Sequence, residues 1–166
     1  MHDENAVQSA TRRVPWNKGK LIGPKPPLMP KHVWSIRTRL QVNGRSRDLA
    51  LFNLAIDSKL RGCDVVALRV EDVAPTGYAV DGATVRQRKT GHPVKFELTD
   101  HTRQSVDDYL RGGRKKAGGF LFAGKRGPDT YLSTRQYARL LSSGSPASDW
   151  IQSFSTRILF AGRRRR

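Results

Sequence analysis

The stretch Asp48–Val73, DLALFNLAIDSKLRGCDVVALRVEDV, decides how the rest of the chain is organised. Seven of the eight positions from 49 to 56 are apolar, and only Asn53 is polar. This pattern predicts a helix that is buried on nearly all sides, since a surface helix would carry a polar face. Leu60 continues the apolar set, and Gly62 lies where a left-handed residue would end the helix.

A second short helix is expected directly after Gly62. Asp64 suits its first turn, and an apolar face is supplied by Val65, Val66, Leu68 and Val70. Arg61 is then held at a tight junction between two core helices. A guanidinium that is held rigidly presents a planar fork of N–H donors to a phosphate or a carboxylate. Arg61 is therefore a candidate anion ligand.

A β-hairpin is predicted further along the chain. Residues 78–88 alternate loosely between apolar and polar, and Thr90-Gly91 makes a turn. The returning strand alternates regularly at Val94, Phe96 and Leu98. Lys89 lies at the tip of this hairpin, where a lone lysine is usually a solvated edge charge.

These segments resemble the tyrosine recombinase (phage integrase) family. The apolar helix, Lys-Leu-Arg-Gly-Cys-Asp and the following Arg-Val-Glu-Asp-Val are similar to the family's first arginine box, and Lys89-Thr90-Gly91 is similar to its hairpin lysine. The resemblance implies an α+β catalytic domain, mainly helical with a small antiparallel β-sheet, incomplete at its C-terminus. It also implies that Arg61 contacts the scissile phosphate of DNA and that Lys89 is the general acid for the leaving 5′ oxygen. The reaction of this family needs no metal and no cofactor.

The charge of the chain points to a polyanionic partner. Lys and Arg number 31 against 14 Asp and Glu, which gives a net charge of +17. Duplex DNA is the expected partner by resemblance. Besides Arg61 and Lys89, the cations expected to bind DNA are Arg12, Arg13, Lys18, Lys20, Arg86, Arg88 and Lys95.

Three segments are expected along the 166 residues. Residues 1–30 are a basic, Pro- and Gly-rich arm or linker, which is either a solvated tail or an arm that follows phosphates. Residues 31–142 form the partial catalytic domain, and residues 143–166 form a disordered basic tail. The first helix of the catalytic domain is predicted over 31–41. It has an apolar stripe, and Arg37 and Arg39 are predicted to turn away from the core.

Two further helices and a strand are predicted after the hairpin. A helix capped by Thr99 should run to Arg111 and stop at Gly112-Gly113, and Ser133 should cap another over 134–141. The segment 119–125 has the spacing of a phosphate-binding P-loop. That interpretation is rejected, because Arg126 replaces the Ser or Thr that holds magnesium and the loop interior reads as a buried strand.

Several classes of protein and site are disfavoured by composition. Cys63 is the single cysteine, so an internal disulfide and a multi-cysteine zinc site are excluded. No stretch approaches the apolar length of a membrane span, and no signal-peptide core is recognisable. A soluble, cytoplasmic protein that binds no metal is expected.

The resemblance stops before the family's second half. None of the four histidines is followed by arginine three positions later, and the tyrosines all precede the expected nucleophile position, each read as an aromatic with a surface hydroxyl: Tyr78, Tyr109, Tyr131 and Tyr137. Codons chosen for 148–166 can be read in an adjacent frame as a segment with a His-x-x-Arg box. We hypothesise a frameshift near Ser142 or Ser143, which sequencing the encoding DNA tests; the alternative is an ordinary basic tail.

Three functions remain open at this point. The chain is a truncated recombinase-family protein whose retained function is at most DNA binding, or it is a pseudogene product with no function. Alternatively, it is a half-domain that takes its tyrosine from another subunit in trans, through self-association or with a full-length recombinase. The third function, from another class, is a basic RNA-binding or ribosome-associated module.

Overall fold

The apolar stretch at 49–56 lies at the centre of a mainly helical fold with two small antiparallel sheets. The computed structural model describes residues 28–113, 118–124 and 127–143. Its helices are α1 (Pro30–Val42), α2 (Ser46–Ser58), α3 (Gly62–Val65), α4 (Val70–Val73), α5 (Asp100–Gly113) and α6 (Thr134–Ser143). Its strands are β1 (Gly82–Arg86), β2 (Pro93–Glu97), β3 (Ala123–Gly124) and β4 (Gly127–Tyr131). The predicted α+β class is confirmed, although the β3–β4 sheet was not predicted as a sheet.

Helix α2 is the hub of the core. It packs against α1, α3, α5 and α6 and against β2. Every residue from 50 to 55 is buried, as the apolar run predicted. Burying a large apolar side chain stabilises the folded state by about 1.5–3 kcal/mol. The buried side chains of Leu51, Phe52 and Leu54 therefore make α2 a large contributor to the stability of the fold.

One polar residue of α2, Asn53, links three helices. Its Oδ1 accepts a hydrogen bond of 2.7 Å from Arg37 Nε of α1, and its Nδ2 donates over 3.1 Å to Ser105 Oγ of α5. Ser105 in turn donates to the Thr102 carbonyl at 2.8 Å. The prediction that Arg37 turns away from the core is therefore wrong, because a buried amide needs a partner and Arg37 supplies it.

The end of α2 differs from the prediction. The left-handed residue is Lys59, with φ of 52°, and Gly62 instead begins α3. Helix α2 ends at Ser58, because the chain turns there and places Leu60 in the core. Ser58 Oγ accepts the Leu60 N–H at 3.4 Å in this turn. The single second helix that was expected is two one-turn helices, α3 and α4. Their predicted apolar face is buried at Val65, Val66, Leu68 and Val70.

The predicted hairpin is present and its turn carries Lys89. Strands β1 and β2 pair with Ala83 opposite Phe96 and Thr84 opposite Lys95. Residues 88–90 form the turn, and Gly91 adopts a φ of 70°, which a residue with a Cβ rarely reaches. The inward residues Ala83 and Phe96 are buried, so the hairpin has a fixed inner face.

The later elements follow the prediction with one correction. Ser133 Oγ accepts the Gln136 N–H at 3.2 Å and Gln136 Oε1 accepts the Ser133 N–H, a capping box at the start of α6. Helix α5 includes Gly112 and Gly113 instead of stopping before them, because glycine in a last turn does not by itself end a helix.

The structure agrees with the interpretation of segment 119–125 and differs from the interpretation of two tyrosines. Leu121 and Phe122 are fully buried, which agrees with rejecting the P-loop. The expectation of surface hydroxyls is wrong for Tyr109 and Tyr137, which are buried because α5 and α6 pack their apolar faces inward. Burial raises the pKa of Tyr137 well above its usual value.

Some predictions fall outside the described residues. These are the basic arm with Arg12, Arg13, Lys18 and Lys20, and the tail in which the frameshift was proposed. In the described ranges, no helix has both the length and the apolar character needed to cross a membrane.

Candidate nucleic-acid interface

Arg61 lies in the turn that connects α2 to α3. Its carbonyl accepts the N–H groups of Asp64 and Val65 at 2.8 and 2.9 Å, so the backbone at this position is fixed. The side chain is half-buried, and its Nη1 is buried without a hydrogen-bond partner in the part of the chain that the structure describes. A buried guanidinium nitrogen without a partner is costly, so a hydrogen-bond acceptor bound at this atom would be stabilising.

Asp64 joins this turn to the hairpin. The side chain is only 2% exposed, and its Oδ1 accepts the backbone N–H of Arg88 at 3.0 Å. Its Oδ2 is buried and has no partner among the described residues. Asp64 follows Arg61 by three residues and Lys89 follows Arg88 directly. The two segments that carry the predicted catalytic residues are therefore in contact through one hydrogen bond.

The hairpin turn that carries Lys89 is internally braced. Gln87 N–H donates to the His92 carbonyl at 2.9 Å, and Gly91 N–H donates to the Gln87 carbonyl at 2.8 Å. Thr90 Oγ1 adds a bond of 2.8 Å to Gln87 Oε1. Lys89 is exposed on this turn. A braced turn holds the lysine stem in a defined direction, which a general acid or a phosphate ligand requires.

A groove of about 490 Å³ opens next to Asp64, between β1, α4 and the β3–β4 sheet. Its lining combines cationic, aromatic and acidic side chains with a few small ones. The cationic and aromatic members are Arg69, Arg86, Arg88, Phe120 and Tyr131, and the others are Asp64, Ala67, Asp72, Thr84 and Val85. A cavity of this size is in the range of small-ligand sites.

One end of the groove is built around Arg69. Its Cζ lies 5.4 Å from the centre of the Phe120 ring, and its Nη1 donates to the Gly118 carbonyl at 3.0 Å. The two residues meet because the chain at 119–121 pairs with 68–70, with Val70 N–H donating to the Gly119 carbonyl at 3.0 Å. Asp72 Oδ2 accepts the Arg69 N–H at 2.8 Å, so this acid is occupied by the backbone.

The other end is built around Arg88. Its Cζ lies 5.2 Å from the centre of the Tyr131 ring, and the interaction with the Tyr131 side chain raises the pKa of Arg88. The Tyr131 and Phe120 rings meet edge to face, with centres 5.3 Å apart. Arg69, Phe120, Tyr131 and Arg88 thus form a continuous surface, which we name the arginine–aromatic wall.

Strand pairing fixes Tyr131 in this wall. Tyr131 lies opposite Ala123 in the β3–β4 sheet, and the next residue, Gly124, approaches the same strand closely. A Cβ at Gly124 would lie 2.8 Å from the Tyr131 carbonyl oxygen, closer than such contacts occur. The glycine therefore allows the approach that positions the Tyr131 ring.

The predicted DNA-binding cations are distributed unevenly. Arg86 and Arg88 line the groove, and Arg86 Nη1 makes only a long bond of 3.4 Å to the Gly91 carbonyl. Lys95 is exposed on β2 opposite Thr84 and does not line the groove. Sequence reasoning missed Arg69, which interrupts the buried run between Leu68 and Val70 and could have been noticed for that reason.

Cys63 does not supply a nucleophile here. Burial raises the pKa of its thiol, and the neighbouring Asp64 charge raises it further, so the thiol stays protonated near neutral pH. Among residues 28–113, 118–124 and 127–143, no three His, Cys, Asp or Glu side chains are grouped as a metal site would require.

Comparison with known proteins gives similarity at the level of structure. No family model matches the chain, and no curated protein matches it. The crystal structure of XerA recombinase superposes with a TM-score of 0.62 at 14% identity, covering 86% of this chain and 54% of XerA. The Tn1549 transposon integrase in complex with circular intermediate DNA gives 0.54 at 17% identity, covering 86% and 57%. The same integrase with transposon right end DNA gives 0.53 at 17% identity, covering 86% and 56%.

The matched length and the sequence identity determine what this similarity shows. The chain spans a little over half the length of the solved structures that it matches. At identities of 14–17%, the superpositions show a shared fold. The chain therefore has the fold of these recombinase and integrase structures, as the arginine box and the hairpin lysine predicted.

Proposed function

We propose that this chain binds duplex DNA as a tyrosine-recombinase-like catalytic domain, with Arg61 and Lys89 directed at one phosphate. The observation that carries the proposal is the hydrogen bond from Arg88 N–H to Asp64 Oδ1, which docks the lysine hairpin against the arginine turn. Two of the similar structures are an integrase in complex with DNA. The surplus of positive charge in the chain supports the same partner.

The chemistry of phosphate binding accounts for the unpartnered atoms at this place. The buried Nη1 of Arg61 gains an acceptor when a non-bridging phosphate oxygen is present. Lys89 on its braced turn would stand beside the bridging 5′ oxygen, as a general acid must. An arginine that contacts the phosphate also stabilises the charge that develops during phosphoryl transfer.

We further propose that the 166 residues bind DNA without cutting it. The sequence has no His-x-x-Arg box, and its tyrosines offer no good nucleophile. Tyr109 and Tyr137 are buried, and Tyr78 and Tyr131 both precede the position at which the family carries its nucleophile. Losing the second arginine alone would cost about 3 kcal/mol of transition-state stabilisation. A division of the chain at residues 30 and 142 remains part of this proposal.

Salt-dependent binding tests the DNA proposal. Fluorescence anisotropy with a duplex DNA and a structured RNA of equal length, over about 50 to 200 mM salt, should show tighter binding to DNA and a linear log–log slope. Arg61→Ala and Lys89→Ala should each reduce the slope by about one phosphate contact. Arg39→Ala, exposed on α1, is the matched control and should leave the slope unchanged. Tighter binding of the RNA with unchanged slopes in both variants would support the basic RNA-binding module instead.

A nicked suicide duplex tests for cleavage, alone and in trans. We expect no covalent protein–DNA adduct from the chain by itself, because a phosphotyrosyl link needs a nucleophile that this sequence lacks. A copy of the chain or a full-length recombinase is the proposed protein partner. An adduct on the 166-residue chain would contradict the proposed inactivity, and one formed only with a recombinase present would support catalysis in trans.

A further inference from the structure

The groove beside Asp64 has features that phosphate binding at Arg61 does not use. Its lining includes two aromatic rings, Phe120 and Tyr131, and three arginines, Arg69, Arg86 and Arg88. We propose that the groove binds one nucleotide whose base is unpaired, with the base on the arginine–aromatic wall. This inference rests on the proposed DNA-binding function and names a second subsite within it.

The phosphate of that nucleotide would lie between Arg86 and Arg88. Both line the groove on the hairpin side, and a guanidinium has five N–H donors, so the contacts already described leave donors for an anion. The Arg86 bond to the Gly91 carbonyl is long, at 3.4 Å, and is easily exchanged for a charge-assisted one.

The base would lie against the wall. Tyr131 is 39% exposed, and its ring is already flanked by the Arg88 guanidinium and the Phe120 edge. Aromatic rings and guanidinium planes are the surfaces on which unpaired bases stack in proteins. A base that is paired inside a duplex is stacked on its neighbours and cannot enter a groove of this kind.

A bulged duplex tests the inference with the full chain. The probes are an intact duplex, the same duplex with one bulged adenine, with one bulged thymine, or with a bulged abasic site. We expect the bulged adenine and the bulged thymine each to bind about tenfold tighter than the intact and abasic duplexes, because every base has a face that can stack on an aromatic ring. Tyr131→Leu should remove this preference, and Tyr131→Phe should retain it. The control Tyr78→Leu removes a tyrosine that is 65% exposed outside the groove and should also retain the preference.

A measurement on the unmodified protein keeps the test independent of any folding defect. A bulged 2-aminopurine should lose fluorescence on binding, because stacking on an aromatic surface quenches it. Free deoxyadenosine monophosphate that competes away only the bulge preference would show that the groove also accepts a nucleotide from solution, which supports the inference. Equal affinity for bulged and intact duplexes, with no quenching, overturns the groove while leaving the DNA proposal intact. Absence of binding to every duplex overturns both.

Discussion

Buried polar groups differ in their hydrogen-bond partners between the helical part of the molecule and the part around Asp64. In the helical part, Asn53 bonds Arg37 on one side and Ser105 on the other, so the amide completes its hydrogen bonds within the protein. Around Asp64, one carboxylate oxygen and the Nη1 of Arg61 are buried and unpartnered among the described residues. The first arrangement satisfies its polar groups within the protein, and the second leaves two buried polar atoms to which a bound group could add a hydrogen bond.

An unpartnered atom alone does not identify a ligand site. The Tyr137 hydroxyl is also buried without a described partner, but it lies among apolar side chains of the core. Arg61 and Asp64 differ because they carry opposite full charges three residues apart, and because Asp64 lines a groove with three more arginines. The clustering of charge, rather than the single orphan atom, is what indicates an anionic partner.

The largest expected effect is a loss of stability caused by a substitution in the helical part. Leu54→Ala removes a fully buried side chain at the hub of the core, and we expect the free energy of unfolding to fall by about 3 kcal/mol. Chemical denaturation measures this loss. Val42→Ala, at an apolar position that is 80% exposed on α1, is the control and should change stability by less than about 0.5 kcal/mol. A similar cost for both variants would contradict a core centred on α2.

The next effect concerns the sheet that positions the wall. Gly124→Ala places a Cβ against the Tyr131 carbonyl, so strands β3 and β4 must separate, at a cost of about 1–3 kcal/mol. Gly112→Ala is the control, because a Cβ there meets nothing within 4 Å. Denaturation of the two variants should differ by this amount, and equal stabilities would show that the β3–β4 approach is not constrained.

A smaller effect is a change in amide hydrogen exchange that is expected in the hairpin but not in the helices. Asp64→Ala removes the acceptor of the Arg88 N–H, so amide hydrogen exchange at Arg88 should accelerate about tenfold. Amides in α2 should keep their exchange rates, since their hydrogen bonds lie within the helix. Unchanged exchange at Arg88 would mean that Asp64 does not dock the hairpin.

The smallest effect is at the end of α2. Lys59 holds a left-handed conformation with φ of 52°, which costs a residue with a Cβ about 1 kcal/mol. We expect Lys59→Gly to stabilise the protein by about 0.5 kcal/mol, the strain relieved being partly offset by the greater freedom of glycine in the unfolded chain. Thermal unfolding would measure the shift, and a loss of stability would contradict the strain.

Sequence patterns predicted the local features and missed the ones that tertiary contacts create. The burial of α2 and the position of Lys89 in a turn follow from apolar runs and turn residues that act over a few positions. The docking role of Asp64 depends on a hairpin that returns 24 residues later, so no local pattern marks it. The sequence predicted Phe120 as part of a buried strand and Tyr131 as an aromatic with a surface hydroxyl, and only the strand pairings at 69–120 and 123–131 bring them together in the groove.

The central claim is that the Arg61 guanidinium and the Lys89 ammonium bind the same phosphate. A double-mutant cycle on duplex DNA affinity, with Arg61→Ala, Lys89→Ala and the double variant, tests it most directly. Two groups on one phosphate should show a coupling energy of about 1 kcal/mol, so the double variant loses less affinity than the two single losses together. Losses that add to within about 0.3 kcal/mol would show that the two side chains act at separate places, and would contradict the claim.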